Sequence, residues 1–430
     1  MAFRRFIAVS LCFVSVSGAW AQPPAPAQAP VYPPTKPGDP MVYAESAVVV
    51  DGESGRVLWS RNPDKKMFPA SITKIMTALL LLENTKPDQS LVAPSIVTTI
   101  PESSFHLAPG EILSAHDAGY ALMLRSANDV AMMIALTLGK TQEGFAAMMN
   151  ERAKKIGCKN TSFVNPNGLH DDNHYTTAND FALIAREAMS NSDFRAIAAT
   201  KSWTTIRTSG SKDLLVESKN KVLTLDSTCE GIKTGFTNQS GKTFVGANSR
   251  NGWRTITVIL KSPNWEQDHK NLVDWAFKNF EQVPVTSGFE VVSAVVGKNR
   301  VSVGTTVEGI SRIALRKDGS EKIETKRVLS KDILATKAGE QAPMTVEEKL
   351  LTEPVGQTAK PPVSLTPAGE FQVLVNGSVV AQRPLMKASE VKVSSAEVKA
   401  KRDFSWLAIV LGMVAVGVAG LAVLRRGTTE

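Results

Sequence analysis

Cysteine is nearly absent: the 430-residue chain has three, and Cys12 stands in an apolar leader. That excludes a disulfide-stapled scaffold, and it leaves Cys158 and Cys229 either as one disulfide or as two buried thiols. Histidine is just as sparse. The five, at 106, 116, 170, 174 and 269, have no metal-ligand spacing. His170 and His174 are four apart but lie in a Gly/Asn/Asp loop, so neither zinc nor any other cofactor is expected. Runs of like charge are also missing. The excess of 49 basic over 41 acidic residues, +8 overall and +6 without the leader, is scattered, and no basic block is interleaved with aromatics. A nucleic-acid partner is therefore not expected. A dispersed basic exterior suits either an anionic envelope surface or plain solubility.

Two apolar runs lie at the ends. Arg4-Arg5, then Phe6 to about Val16, then Ala19-Trp20-Ala21 before Gln22 carry the charged, apolar and small-residue parts of an export signal. Residues 1–21 are thus expected to be removed, leaving a mature chain that starts at Gln22 outside the cytoplasm. Phe404–Leu424 is 21 residues without a charge. At about 1.5 Å per residue this spans the roughly 30 Å hydrocarbon core. Arg425 and Arg426 follow at once, which predicts a single pass through the cytoplasmic (inner) membrane, with the 425–430 tail inside and everything earlier on the periplasmic or extracellular side.

Between these runs, residues 22–40 are Pro- and Ala-rich and read as a linker. Ser46–Val50 and Arg56–Ser60 alternate about Asp51-Gly52-Glu53-Ser54-Gly55, a hairpin signal. From Pro69 the period becomes helical, with Ile75, Leu79 and Leu82 on one face. Helical patterns recur at about 115–124, 129–138, 143–155 and 177–190, strands at 231–235, 242–248 and 253–261, and a last helix at 265–280. Strands at both ends with helices between predict an α/β (α+β) domain over 41–282, one sheet assembled from both ends and covered by helices. Over 284–395 short alternating runs predict a small all-β domain. Phe371–Val380 is a hairpin about Asn376-Gly377, and Ile313–Val328 has the same form about Asp318-Gly319.

Three short motifs carry the chemistry. Ser71-Ile-Thr-Lys74 fits S-x-x-K, but so do Ser209/Lys212, Ser218/Lys221 and Ser389/Lys392. Ser126-Ala127-Asn128 fits S-x-N, a pattern found elsewhere in the chain too. Lys233-Thr234-Gly235 is the one K-T-G. Alone, each is weak, and Ser71 reads as a helix cap, Lys74 as a solvated charge, and Ser126 or Asn128 as caps of the helix beginning at Asp129. Together, 55 and 107 residues apart, on a helix start, an interhelix loop and a strand, they form the signature shared by class A β-lactamases and penicillin-binding proteins. Ser71 at a helix N-terminus is placed for nucleophilic attack, and Lys74, one turn on, for taking its proton if burial lowers its pKa. Ser126 completes the proton path to the leaving amine, and Asn128 holds the substrate amide. Lys233 and Thr234 offer a cation and a hydroxyl to a carboxylate. Gly235 leaves the strand edge open to an extended peptide, and the N–H groups of Ser71 and Phe236 form the oxyanion hole.

On these residues the chain resembles the low-molecular-mass penicillin-binding proteins, the D-alanyl-D-alanine carboxypeptidases of the S11 serine peptidase family. The resemblance covers about 41–395 and includes Phe68–Thr77, Asn165-Pro-Asn-Gly-Leu169, His174–Ala178 with Asp180, and Gly231–Thr237. It implies a β-lactamase/transpeptidase-like antiparallel sheet flanked by helices, a following β domain and a membrane attachment. It also implies removal of the terminal D-alanine from peptidoglycan stem peptides, with β-lactam antibiotics as covalent inhibitors. The chain departs from the family pattern at Ala127, where Gly is usual, at Phe236, where some members have His, and in a full apolar span where several use an amphipathic helix. Two rivals remain. A class A β-lactamase holds its hydrolytic water with a Glu from the loop between the second and third motifs, and residues 156–180 contain no Glu. A catalytically silent binding or scaffold protein would not need every polar group that is present here. Asp171, Asp172 and Asp180 read most simply as loop and helix-start residues.

Overall fold

The computed structural model describes residues 36–101, 103–285, 290–296, 299–307, 312–331, 367–387 and 392–395. The export-signal segment, most of the linker and the 404–424 span lie outside them. Among the described residues no helix is long and apolar enough to cross a membrane.

The chain divides into two units, one of residues 1–50 and 57–278 and one of 51–56 and 279–430. The first unit is built on a hairpin, β1 (Ser46–Asp51) and β2 (Val57–Arg61), and on helix α1 (Lys74–Asn84). A short ribbon, β3 (Ser90–Val92) with β4 (Ile112–Ser114), precedes α2 (Ala115–Tyr120), α3 (Asn128–Gly139), α4 (Gln142–Ile156), α5 (Ala178–Ser190) and α6 (Ser192–Ala199). A second ribbon, β5 (Ser202–Thr204) with β6 (Leu215–Glu217), and the short α7 (Val222–Leu225) lead to β7 (Cys229–Thr237), β8 (Gly241–Arg250), β9 (Trp253–Ser262) and α8 (Trp265–Asn279). The main sheet runs β2-β1-β9-β8-β7, so its two ends come from the two ends of the segment, as expected. β7 is an edge strand, antiparallel to β8 as β8 is to β9.

The helix expected after Pro69 is present as α1, but its burial is not confined to the face of Ile75, Leu79 and Leu82. Every residue from Lys74 to Leu81 is buried, while Leu82 is only partly so. A helix covered on all sides sits inside the helical layer, and a 3.6-residue period cannot reveal that because no face is left polar. The pattern at 115–124 also divides: α2 ends at Tyr120 and a wider π turn, Ala121–Arg125, follows. Such π turns re-aim the chain, and this one ends on Ser126 in left-handed conformation, φ 66°.

All described strands of the second unit are antiparallel. β10 (Phe280–Pro284) pairs with β13 (Arg312–Arg316), and a six-stranded sheet holds β11 (Glu290–Val296), β12 (Asn299–Val307), β14 (Ile323–Leu329), β15 (Pro367–Val375), β16 (Ser378–Lys387) and β17 (Lys392–Ser395). Phe371, Val373 and Leu385 are fully buried in its core. The hairpin about Asn376-Gly377 is present, with φ 50° and 79° at the turn and Val375 opposite Ser378. The expected hairpin about Asp318-Gly319 is not. The turn exists, but β13 leads into it from the β10 pair and β14 leaves it for β15, so the flanking strands belong to different sheets. The turn residues carry no information about which strand each arm meets. The turn 51–56 is part of this unit: Arg56 donates to Ala314 O and forms an ion pair with Glu321 at 2.5 Å.

Candidate active site

The chain enters the nucleophile segment through Pro69 and Ala70. Ala70 is left-handed, φ 53°, and opens a 3₁₀ turn over Ala70–Thr73; the α-helix starts only at Lys74. Ser71 is thus not at the helix N-terminus but inside a tight turn before it. A left-handed alanine costs about 1–2 kcal/mol, so its surroundings must hold it. They do so on three sides. Thr243 Oγ1 donates to Pro69 O at 2.9 Å, Thr77 Oγ1 donates to Pro166 O at 2.6 Å, and a Cβ on Gly168 would lie 1.8 Å from Ala70 O. His174 completes the clamp. Val164 N–H donates to its Nδ1 at 3.1 Å, so the proton is on Nε2, which donates to Thr73 Oγ1 at 2.8 Å. Burial pushes the imidazole down to about 4, which keeps it neutral.

Lys74 is fully buried. Its Nζ is 3.0 Å from Ser71 Oγ and 2.7 Å from both Asn128 Oδ1 and Asn167 O. Burial first, then the positive charges of Lys233 and Lys219, lower its pKa well below that of an ordinary lysine, with Asp129 acting in the opposite direction. A neutral amine has two N–H bonds, and the two amide oxygens take both. When Lys74 gives up its third proton, its lone pair is directed at Ser71 Oγ, the geometry of a base on a hydroxyl.

The second motif joins this group through Asn128, whose Oδ1 faces Lys74 and whose Nδ2 donates to Pro101 O at 2.9 Å. Neither Ser126 nor Asn128 caps α3, since the N-cap is Ala127 and no side chain caps it. Asn128 is the first helical residue, and its Oδ1 accepts from Lys74. Ser126 is buried at the end of the π turn. Asp129, which the sequence reading treated as a helix start, is also buried, and its carboxylate accepts from four groups of 104–130.

The third motif lies on edge strand β7. Lys233 is 1% exposed, and its Nζ donates to Thr234 O at 3.0 Å. Burial and Lys219 push its pKa down to about 7. A Cβ on Gly235 would lie 2.4 Å from Thr243 Oγ1, 2.9 Å from Ser71 N and 3.1 Å from Ile72 N. This glycine therefore does more than keep an edge open, because it lets the nucleophile turn pack directly on the strand. By strand alternation Lys233 and Gly235 share the face toward that turn. Thr234 and Phe236 take the other positions, and Phe236 is 62% exposed. Asp180 is likewise more than a helix-start residue: Lys159 N, Asn160 N and Thr161 Oγ1 all donate to it, tying the loop after α4 to α5. Cys158 and Cys229 are free and partly buried.

The geometry brings Ser71, Lys74, Asn128, Lys233 and Gly235 together. Thr243 and Lys219 had not been singled out, and Asn167 and His174 only as members of segments that carry the family resemblance. Lys219 carries only a weak signal, as an exposed lysine, and Asn167 acts through a backbone carbonyl that any residue could supply.

Comparison with known proteins agrees. A sequence model of the S11 peptidase family, D-alanyl-D-alanine carboxypeptidase, matches residues 34–264. The D-alanyl-D-alanine carboxypeptidase DacF of Bacillus subtilis is 28% identical over 295 residues, covering 66% of this chain and 75% of its own. DacA of Escherichia coli is 30% identical over 289 residues, 62% of this chain and 70% of its own. Among solved structures, penicillin binding protein 5 from Haemophilus influenzae superposes with a TM-score of 0.62 at 22% identity, over 82% of this chain and 98% of that one, which shows the fold. A D-alanyl-D-alanine carboxypeptidase from Mycobacterium tuberculosis matches at TM-score 0.52 and 30% identity, over 59% of this chain and 95% of that one.

Proposed function

Because this chain belongs to the S11 peptidase family, the D-alanyl-D-alanine carboxypeptidases, we propose that it removes the terminal D-alanine from peptidoglycan stem peptides through an acyl-enzyme on Ser71. The observation that carries the reading is the buried Lys74 amine, held by two amide oxygens with Ser71 Oγ at 3.0 Å. Ser71 Oγ attacks the carbonyl of the penultimate D-alanine as Lys74 takes its proton. The negative charge that develops on the carbonyl oxygen is met by the N–H groups of Ser71 and Phe236. Ser126 passes a proton to the departing amine, the C–N bond breaks, and D-alanine leaves. Water then attacks the ester, restoring Ser71 and releasing the shortened peptide. A β-lactam enters the same first step, but its opened ring stays attached.

The assay is release of free D-alanine from a pentapeptide ending in D-Ala-D-Ala. Stoichiometric release that continues through many turnovers is expected, and its absence from a folded preparation would contradict the reading. The roles of Ser71, Lys74 and Asn128 are supported by this geometry, and those of Ser126, Lys233, Thr234 and Phe236 by the motif match. An export signal over 1–21, a linker over 22–40 and a single-pass anchor over 404–424 in the cytoplasmic membrane are part of the same proposal, supported by the sequence pattern. Truncation after Lys401 is expected to release the protein from membranes; retention through a high-salt wash would contradict the anchor.

A further inference from the structure

Asp129 is a fully buried carboxylate with no cation in hydrogen-bond reach among the contacts it makes. Its Oδ2 accepts from Ser104 Oγ at 2.8 Å and from Leu107 N at 3.1 Å. Its Oδ1 accepts from Phe105 N at 2.9 Å and from Val130 N at 2.9 Å. A buried carboxylate is costly unless its oxygens are hydrogen-bonded, so it holds its donors in place. Here it orders the 103–107 loop, and that loop in turn holds the second motif. Asn128 N donates to Ser103 O at 2.6 Å, Ser103 Oγ donates to Arg125 O at 3.2 Å, and Asn128 Nδ2 donates to Pro101 O. The Asn128 amide is thereby fixed with Oδ1 toward Lys74.

We infer that Asp129 is a positioning residue of this site: its carboxylate ties the 103–107 loop to the first turn of α3, sets the Asn128 amide against Lys74, and puts a negative charge beside that lysine. The inference rests on the Ser71/Lys74 reading above. The groups facing Lys74 are Lys233 from β7, Lys219 from the loop before α7, the neutral His174, and Asp129. The first two disfavour its charged form and Asp129 favours it. Arg207, which approaches the same loop through Phe105 O, is paired with Glu111. The sign follows. Removing the Asp129 charge lowers the pH at which Lys74 gives up its proton, so the acid limb of acylation moves to lower pH.

The test is the rate of β-lactam acylation against pH. Acylation of the wild-type protein at Ser71 first establishes the underlying reading; if that fails, the reading fails and not this inference alone. Asp129→Asn is then expected to slow acylation at its plateau by about threefold or more and to move the acid limb down by at least about 0.3 pH unit. Asp129→Glu, which keeps the charge, is expected to leave the limb nearer its wild-type position. A uniform loss at every pH with an unmoved limb would reduce Asp129 to a structural role and overturn the inference. If Asp129→Asn does not fold, Ser104→Ala decides, since it removes one loop donor and leaves the charge. Slower acylation with an unmoved limb and an unchanged thermal midpoint supports the inference, and unchanged acylation, or a loss that tracks a lowered midpoint, overturns it.

Discussion

Lys74→Met is expected to slow acylation of Ser71 by about 10³-fold, within the range typical of a lost general base. The fold should tolerate it. Methionine fills nearly the same volume and removes a buried amine, while Asn128 Oδ1 and Asn167 O each lose a donor, at about 1–3 kcal/mol apiece. These effects oppose each other. The pH profile is the sharper readout: because the Lys74 pKa is lowered chiefly by burial, acylation by the wild-type protein rises with pH as Lys74 loses its proton. In the Met variant that limb disappears. Residual acylation that kept the wild-type pH dependence would mean that another group takes the Ser71 proton.

Thr234→Val is expected to reduce turnover of a free-acid D-Ala-D-Ala peptide by at least about tenfold, equivalent to roughly 1.4 kcal/mol, and to spare a matched amide-capped peptide. The reasoning is chemical: a carboxypeptidase must read a free terminus, and the third motif supplies a cation at Lys233 and, at the next strand position, a hydroxyl at Thr234. Thr234 sits on a strand that is at the sheet's edge among the described residues, and it is partly exposed. Its removal leaves the Ser71/Lys74 pair untouched. Both substrates are measured on one preparation. An equal loss on the two would show that Thr234 acts in chemistry or in folding and not in carboxylate recognition.

The three motifs could be read from the chain because each contributes its own side chain, and their order and context reject the chance matches. The sheet built from both ends was legible for a similar reason, since short buried strands and amphipathic helices leave different periods. What was hidden depends on partners far away in the chain. The left-handed Ala70 is held by Thr243 and Gly168, 173 and 98 residues later, and nothing near Ser71 announces the 3₁₀ turn. Asn167 acts through a backbone carbonyl, which any residue could supply. Asp129 looks like an ordinary first-turn acid until the 103–107 loop is seen folded onto it. The turn at Asp318-Gly319 predicts a reversal correctly but not the sheets its arms join.

The account turns on Ser71 as the nucleophile. The most direct measurement is mass spectrometry of the protein after exposure to a β-lactam, with the adduct located by proteolysis. One adduct per chain, on the peptide containing Ser71, is predicted, together with none in a folded Ser71→Ala protein. Labelling that persists in Ser71→Ala, or that maps to Ser126 or another peptide, would contradict it.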